Sequence, residues 1–147
     1  MMTAAHDHIA TVIEVHDGDT FKAAIDLGPA PAWHKTWPTS RDFHVYVEHQ
    51  RYVLHTRIRL LGCNAIELAE PGGAEAQKNL AALLPAGSVV TLTTEKPDNY
   101  GDRWDAAVIL ADGTDLVPHL IDTHWAAAWN GQGPRPTPPW PRPEEKP

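Results

Sequence analysis

Short runs of β-branched and aromatic residues, separated by turn-forming residues, recur along the chain up to residue 111. Runs of this length that alternate polar and apolar positions are typical of half-buried β-strands. They predict strands at residues 9–15, 20–28, 43–49, 52–63, 88–95 and 104–111. The first two flank His16-Asp17-Gly18-Asp19, and Asp-Gly between two such runs indicates a hairpin. Many short strands at close spacing favour a small antiparallel barrel.

Two further segments have helical spacing. Apolar residues recur at helical intervals over residues 74–85, where Pro85 ends the pattern. A second helix is predicted at roughly 115–127, with Pro118 tolerated in its first turn. The remaining insert, residues 29–51, is rich in Pro and Trp at its start, and could either extend the hairpin or cover a groove.

The composition changes sharply after Asn130. Residues 131–147 hold 7 of the 14 prolines, and each proline fixes φ and removes a backbone donor. We therefore predict a folded domain over 1–130 and a Pro-rich tail over 131–147, either packed through Trp140 or loose. A terminal appendage is favoured over a PxxP ligand for an aromatic groove.

Length and charge exclude several classes of protein. A chain of 147 residues predicts one domain, and its single cysteine, Cys63, supports neither an internal disulfide nor a CxxC zinc site. No apolar run is long enough for a membrane span and no signal peptide is recognisable, so we expect a cytoplasmic protein without a membrane partner. The net charge of −7 argues against holding nucleic acid by bulk charge, but it does not govern the chemistry of a small site.

Two clusters of polar residues in the first half of the chain could carry chemistry. The turn Asp17–Asp19 could present carboxylate oxygens to a hard cation, although Asp and Gly are also ordinary turn residues. A later strand carries Arg57 and Arg59 on one face and runs directly into Asn64 and Glu67. Guanidiniums beside an amide and a carboxylate could bind a phosphate and an ion together, or form an ordinary surface salt bridge.

Four segments, in order, resemble the staphylococcal (thermo)nuclease family, in particular the shorter nuclease-like proteins of actinobacteria and their phages. They are VIEVHDGDTFKAAI, RLLGCNAIE, DNYGDRWDAAVIL and DGTDLVPHLIDTHWAAAW. The resemblance covers roughly residues 9–129 without the insert. It implies an OB-fold-like five-stranded barrel with two or three helices, and calcium-dependent hydrolysis of phosphodiesters in DNA or RNA.

The resemblance also implies residue roles. It places calcium ligands at Asp19, Asn64 and the backbone carbonyl of Ala65. It implies that Glu67 activates the attacking water, and that two arginines, Arg59 and Arg103, bind the phosphate and stabilise the developing charge. Two aromatic residues, Tyr100 and Trp129, are assigned to substrate binding because bases stack on such rings, although packing would also account for them.

Two differences from the family pattern support an alternative function. Asn64 is neutral where the family has an aspartate, and Asp102 separates Arg103 from the preceding Tyr-Gly. The alternative is a catalytically weak or inactive OB-fold module that binds nucleic acid or protein. The presence of Asp19, Arg59 and Glu67 together favours the nuclease. The preference for DNA or RNA and the oligomeric state stay open.

Overall fold

The computed structural model describes residues 6–30, 44–94 and 103–141. Within them lie eight strands and two helices, in the order β1 (His6–Asp17), β2 (Thr20–Pro29), β3 (His44–Glu48), β4 (Arg51–Leu60), β5 (Cys63–Ala65), α1 (Gly73–Leu83), β6 (Val89–Thr94), β7 (Arg103–Ile109), α2 (Leu116–Asp122) and β8 (Ala126–Ala128).

Five of the strands close into a barrel in the order β2-β1-β6-β7-β4, and β4 pairs back onto β2. The predicted OB-fold-like, mainly-β architecture is therefore confirmed. The pairs are antiparallel except β4 with β7, which run parallel. The expectation of an antiparallel barrel was wrong for this one pair, and the reason is geometric. Strand direction cannot alternate around a closed ring with an odd number of strands, so at least one pair must be parallel.

The core fills the inside of this barrel. Alternate residues of the strands point inward, which the two-residue period of a strand requires. The largest fully buried side chains are Phe21, Ile25, Ile58, Leu60, Leu80, Leu84, Leu92, Leu116 and Leu120, contributed by both helices as well as by the strands. Since Ile58 and Leu60 face the core, the alternating Arg57 and Arg59 are left on the outer face of β4.

The second helix is shorter than the sequence predicts. It ends at Asp122, and His124 has a φ of +65° that interrupts the helical path. Ala126 and Ala127, which were predicted to be helical, instead form β8 together with Ala128, and β8 pairs antiparallel with β5 in a second, two-stranded sheet. Strands of three residues are too short to show a period, and alanines favour helix over strand, so the sequence pattern does not reveal this sheet.

The described part of the 29–51 insert joins the main sheet. Strand β3 forms a hairpin with β4 through His49 and Gln50, and it occupies the part of the β4 edge that β7 does not reach. Residues 31–43 lie outside the described residues. Neither described helix is long and apolar enough to span a membrane.

Candidate functional site

Asp19 occupies the two-residue turn that joins β1 and β2, and three neighbouring groups fix it there. Its backbone carbonyl accepts the N–H of Leu60 at 2.9 Å. Its Oδ2 accepts the N–H of Ala65 at 2.9 Å, and its Oδ1 accepts the hydroxyl of Thr20 at 3.0 Å. Only 7% of Asp19 is exposed. The carboxylate is therefore a fixed group, held where β2, the end of β4 and β5 meet.

Arg59 connects this carboxylate to Asn64. Its Nη1 lies 2.6 Å from Oδ2 of Asp19, and both side chains are largely buried. Its Nη2 lies 3.5 Å from Oδ1 of Asn64. Asn64 is itself buried in β5, and its Nδ2 donates to the carbonyl of Pro136 at 3.0 Å. A carboxylate, a guanidinium and an amide thus form one continuous polar row.

Glu67 follows β5 in a turn that is closed by its own hydrogen bonds. The N–H of Glu70 donates to the Glu67 carbonyl at 2.9 Å, and the Glu67 N–H donates to Oε1 of Glu70 at 3.1 Å. The Glu67 side chain is exposed, and its Oε1 lies 2.9 Å from Nη1 of Arg135 in the Pro-rich tail. Its carboxylate is therefore accessible to water while its backbone is fixed.

One cleft of about 330 Å³ brings five of the predicted site residues together. Its lining includes Asp19, Arg59, Asn64, Ala65 and Glu67, all of which were assigned from the sequence.

Three other charged residues, Asp17, Arg57 and Arg135, line the same cleft. Asp17 and Arg57 were among the polar clusters noted in the sequence. Arg135 was not, because a lone arginine between two prolines carries no pattern that links it to residues about 70 positions earlier.

The structure does not bear equally on the other assigned residues. Tyr100 and the side chain of Arg103 lie outside the described residues, so their roles stay predictions. The backbone of Arg103 begins β7 and pairs with Arg57, which places it on a strand and not in the predicted loop. Trp129 does not line the cleft but lies near one residue that does: its Nε1 donates to the carbonyl of Gln132 at 3.0 Å, and the Arg135 guanidinium is 5.5 Å from its ring centre.

The cleft differs in charge from the chain as a whole. Three carboxylates face three guanidiniums there, whereas the chain carries a net −7. Burial, and then the neighbouring Asp19 carboxylate, raise the pKa of Asp17 to about 6. Burial likewise raises the pKa of the Cys63 thiol to about 12, which excludes it as a thiolate nucleophile near neutral pH. A local balance of charge is compatible with an incoming anion despite the acidic surface.

The oxygen donors fit a hard cation in kind but would hold it weakly. Within the described part of the chain, no three His, Cys, Asp or Glu side chains form a group that could hold a metal ion. Asp19, Asn64 and the Ala65 carbonyl offer one charged and two neutral oxygens, and affinity for calcium depends strongly on the number of charged ligands. Oδ2 of Asp19 also contacts Arg59, so an ion would compete with that guanidinium.

Comparison with known proteins adds no family assignment. The chain matches no protein-family model, and no curated protein is similar enough in sequence to count as a relative.

Proposed function

We propose that the chain hydrolyses phosphodiester bonds of DNA or RNA with the help of calcium. The observation that carries this proposal is the convergence of Asp19, Arg59, Asn64 and Glu67 on one cleft, although they come from a turn, two strands and a loop. Fold alone would not support it, since the same barrel serves unrelated functions.

Each residue has a chemical task in this proposal. Glu67, exposed at the mouth of the cleft, takes a proton from the attacking water. Arg59 donates N–H groups to the phosphate and stabilises the charge that develops on it. Calcium, when held by Asp19, Asn64 and the Ala65 carbonyl, would supply further charge neutralisation at the phosphoryl oxygens.

A cleavage assay with matched variants tests the proposal. Purified protein is incubated with single-stranded DNA and, separately, RNA in the presence of Ca²⁺, with and without EDTA. Glu67→Gln is expected to lower the rate by roughly 10²–10⁴-fold, the usual contribution of a general base. Glu75→Gln is the control, because it removes one exposed carboxylate from α1 outside the cleft.

Three results would each count against one part of the proposal. If wild type cleaves neither substrate faster than Glu67→Gln, the catalytic proposal is refuted. If EDTA leaves cleavage unchanged, the calcium assignment is refuted but hydrolysis stands. If Glu75→Gln is as slow as Glu67→Gln, the loss reflects charge in general and not a base at position 67.

A second function, binding of nucleic acid without cleavage, is favoured by one observation. The Asp19 carboxylate is already neutralised by Arg59, and the buried Asn64 amide is engaged by the tail. Such contacts would stabilise the fold even in a protein that does not catalyse a reaction. Retention of a labelled oligonucleotide without cleavage in the same assay would identify this function.

A further inference from the structure

The Pro-rich tail is anchored beside the candidate site. Within the described residues 131–141, Pro138 is buried, and the Trp140 ring packs 6.2 Å from that of Trp125. The Trp140 ring also covers Gly72 so closely that a Cβ there would lie 2.6 Å from its Cδ2. Of the two alternatives that the sequence left open, this part of the tail is packed through Trp140.

These packing contacts place one charged side chain at the cleft. Arg135 lies between Pro134 and Pro136, which favour an extended backbone at this point and lower the entropy cost of holding it. The carbonyl of Pro136 is tied to Asn64. The Arg135 guanidinium then reaches Oε1 of Glu67 at 2.9 Å, with the Trp129 ring within cation–π range.

The docked tail forms a wall of the cleft and does not fill it. The cleft keeps about 330 Å³ with the tail in place, which is within the range of small-molecule sites. Arg135 shares its lining with Arg57 and Arg59 from β4. Guanidiniums from two separate parts of the chain therefore face one open space.

We propose that Arg135 is a phosphate-binding residue of the cleft, and that the tail positions it to hold the backbone of single-stranded nucleic acid together with Arg57 and Arg59. This inference rests on the proposed function for its ligand class. The Arg135–Glu67 pair is exposed on both sides, at 55% and 59%, and exposed pairs are weak. A phosphate can therefore replace the carboxylate, and this exchange leaves Glu67 without its ion-pair partner.

Binding of a short fluorescein-labelled single-stranded oligothymidine, followed by anisotropy in EDTA, tests this role without any cleavage. Arg135→Gln is expected to weaken binding about tenfold, in keeping with the loss of one charge-assisted hydrogen bond. It is also expected to reduce the slope of log affinity against log salt by about 0.7, the share of one phosphate contact on a single strand. Arg135→Lys should keep most of the salt slope.

Arg51→Gln is the matched control. It removes one guanidinium and breaks one exposed pair, with Asp26, at the same 2.9 Å distance. It lies at the opposite end of β4, eight residues from Arg59, or roughly 26 Å along the strand. Its salt slope should match that of wild type. A salt slope is diagnostic because loss of a merely structural contact would not change the number of phosphates bound.

Three outcomes would overturn the inference. Equal slopes for Arg135→Gln and Arg51→Gln would show that Arg135 touches no phosphate. Tighter binding by Arg135→Gln, or by Trp140→Ala, would show that the tail blocks the cleft. Absence of binding by wild type would remove the ligand class itself. If cleavage is never seen but Arg135→Gln lowers the slope, the hydrolysis proposal fails and this inference stands. If cleavage occurs and Arg135→Gln leaves the slope unchanged, the hydrolysis proposal stands and this inference fails.

Discussion

Replacing Arg59 with methionine should destabilise the fold far more than an equivalent change at the surface. Methionine keeps much of the apolar stem of arginine but removes the guanidinium that lies 2.6 Å from Asp19. Asp19 would then be a carboxylate that is 7% exposed and without its ion-pair partner. Breaking a buried pair by removing one partner typically costs 3–5 kcal/mol, mainly because the other charge stays buried.

The structure places the expected cost at the lower end of that range. Asp19 keeps two donors after the change, the Ala65 N–H and the Thr20 hydroxyl. We therefore expect a loss of about 3 kcal/mol in the free energy of unfolding. For a chain of this size the corresponding fall in Tm is roughly 6–12 °C.

The pair between Arg51 and Asp26 provides the comparison. Its atoms are 2.9 Å apart, but its side chains are 48% and 35% exposed, so Arg51→Met should cost only about 0.2–1 kcal/mol. Urea denaturation of wild type and both variants, with the slope m held equal, measures the difference. A double-mutant cycle with Asp19→Asn should give a coupling energy within about 0.5–3 kcal/mol.

One result would refute this reasoning. If Arg59→Met costs within about 0.5 kcal/mol of Arg51→Met, burial does not strengthen the pair, and the Asp19 carboxylate must be solvated in the folded chain. The network around Asp19 would then provide no fixed carboxylate for the proposed site.

Two further predictions concern the turn and the pH dependence. Gly18→Ala would place a Cβ 2.8 Å from that of Ala65. We therefore expect the free energy of unfolding, measured in urea, to fall by about 1–3 kcal/mol. A variant as stable as wild type would show instead that the turn has room for the methyl group. The Arg51 guanidinium, and then the Gly28 N–H, hold the pKa of the Asp26 carboxyl below its ordinary value. The ionised Asp26 therefore stabilises the fold above the pKa that it has in the unfolded chain, and this stabilisation is lost as the pH falls through its lower pKa in the folded chain. Arg51→Gln should therefore reduce the fall of the urea midpoint at acid pH. An unchanged dependence of the midpoint on pH would contradict this prediction.

Most of the barrel could be predicted because its strands have a local pattern. The alternation of Arg57, Ile58, Arg59 and Leu60 assigns a strand and its two faces without any knowledge of partners. The parallel pairing of β4 with β7 and the sheet of β5 with β8 could not be predicted this way, because they depend on ring closure and on contacts between distant segments.

The candidate site divides in the same manner. Asp19, Arg59 and Glu67 could be proposed from the sequence, since the short segments that hold them resemble those of the staphylococcal nuclease family. Arg135 could not be proposed in this way, because nothing near it in the sequence indicates a contact with Glu67, which lies 68 positions earlier. Composition predicted only that residues 131–147 would be extended.

By itself, the sequence determined the residue types that the site contains and the strands that carry them. Backbone propensity and hydrophobic alternation act over a few residues, so a short stretch of sequence is enough to recognise them. Only the tertiary structure decided that the β1–β2 turn, the end of β4, β5 and the tail meet around one cleft. That meeting depends on how the barrel closes and on where Trp140 packs, and packing between distant segments leaves no periodic trace in the chain.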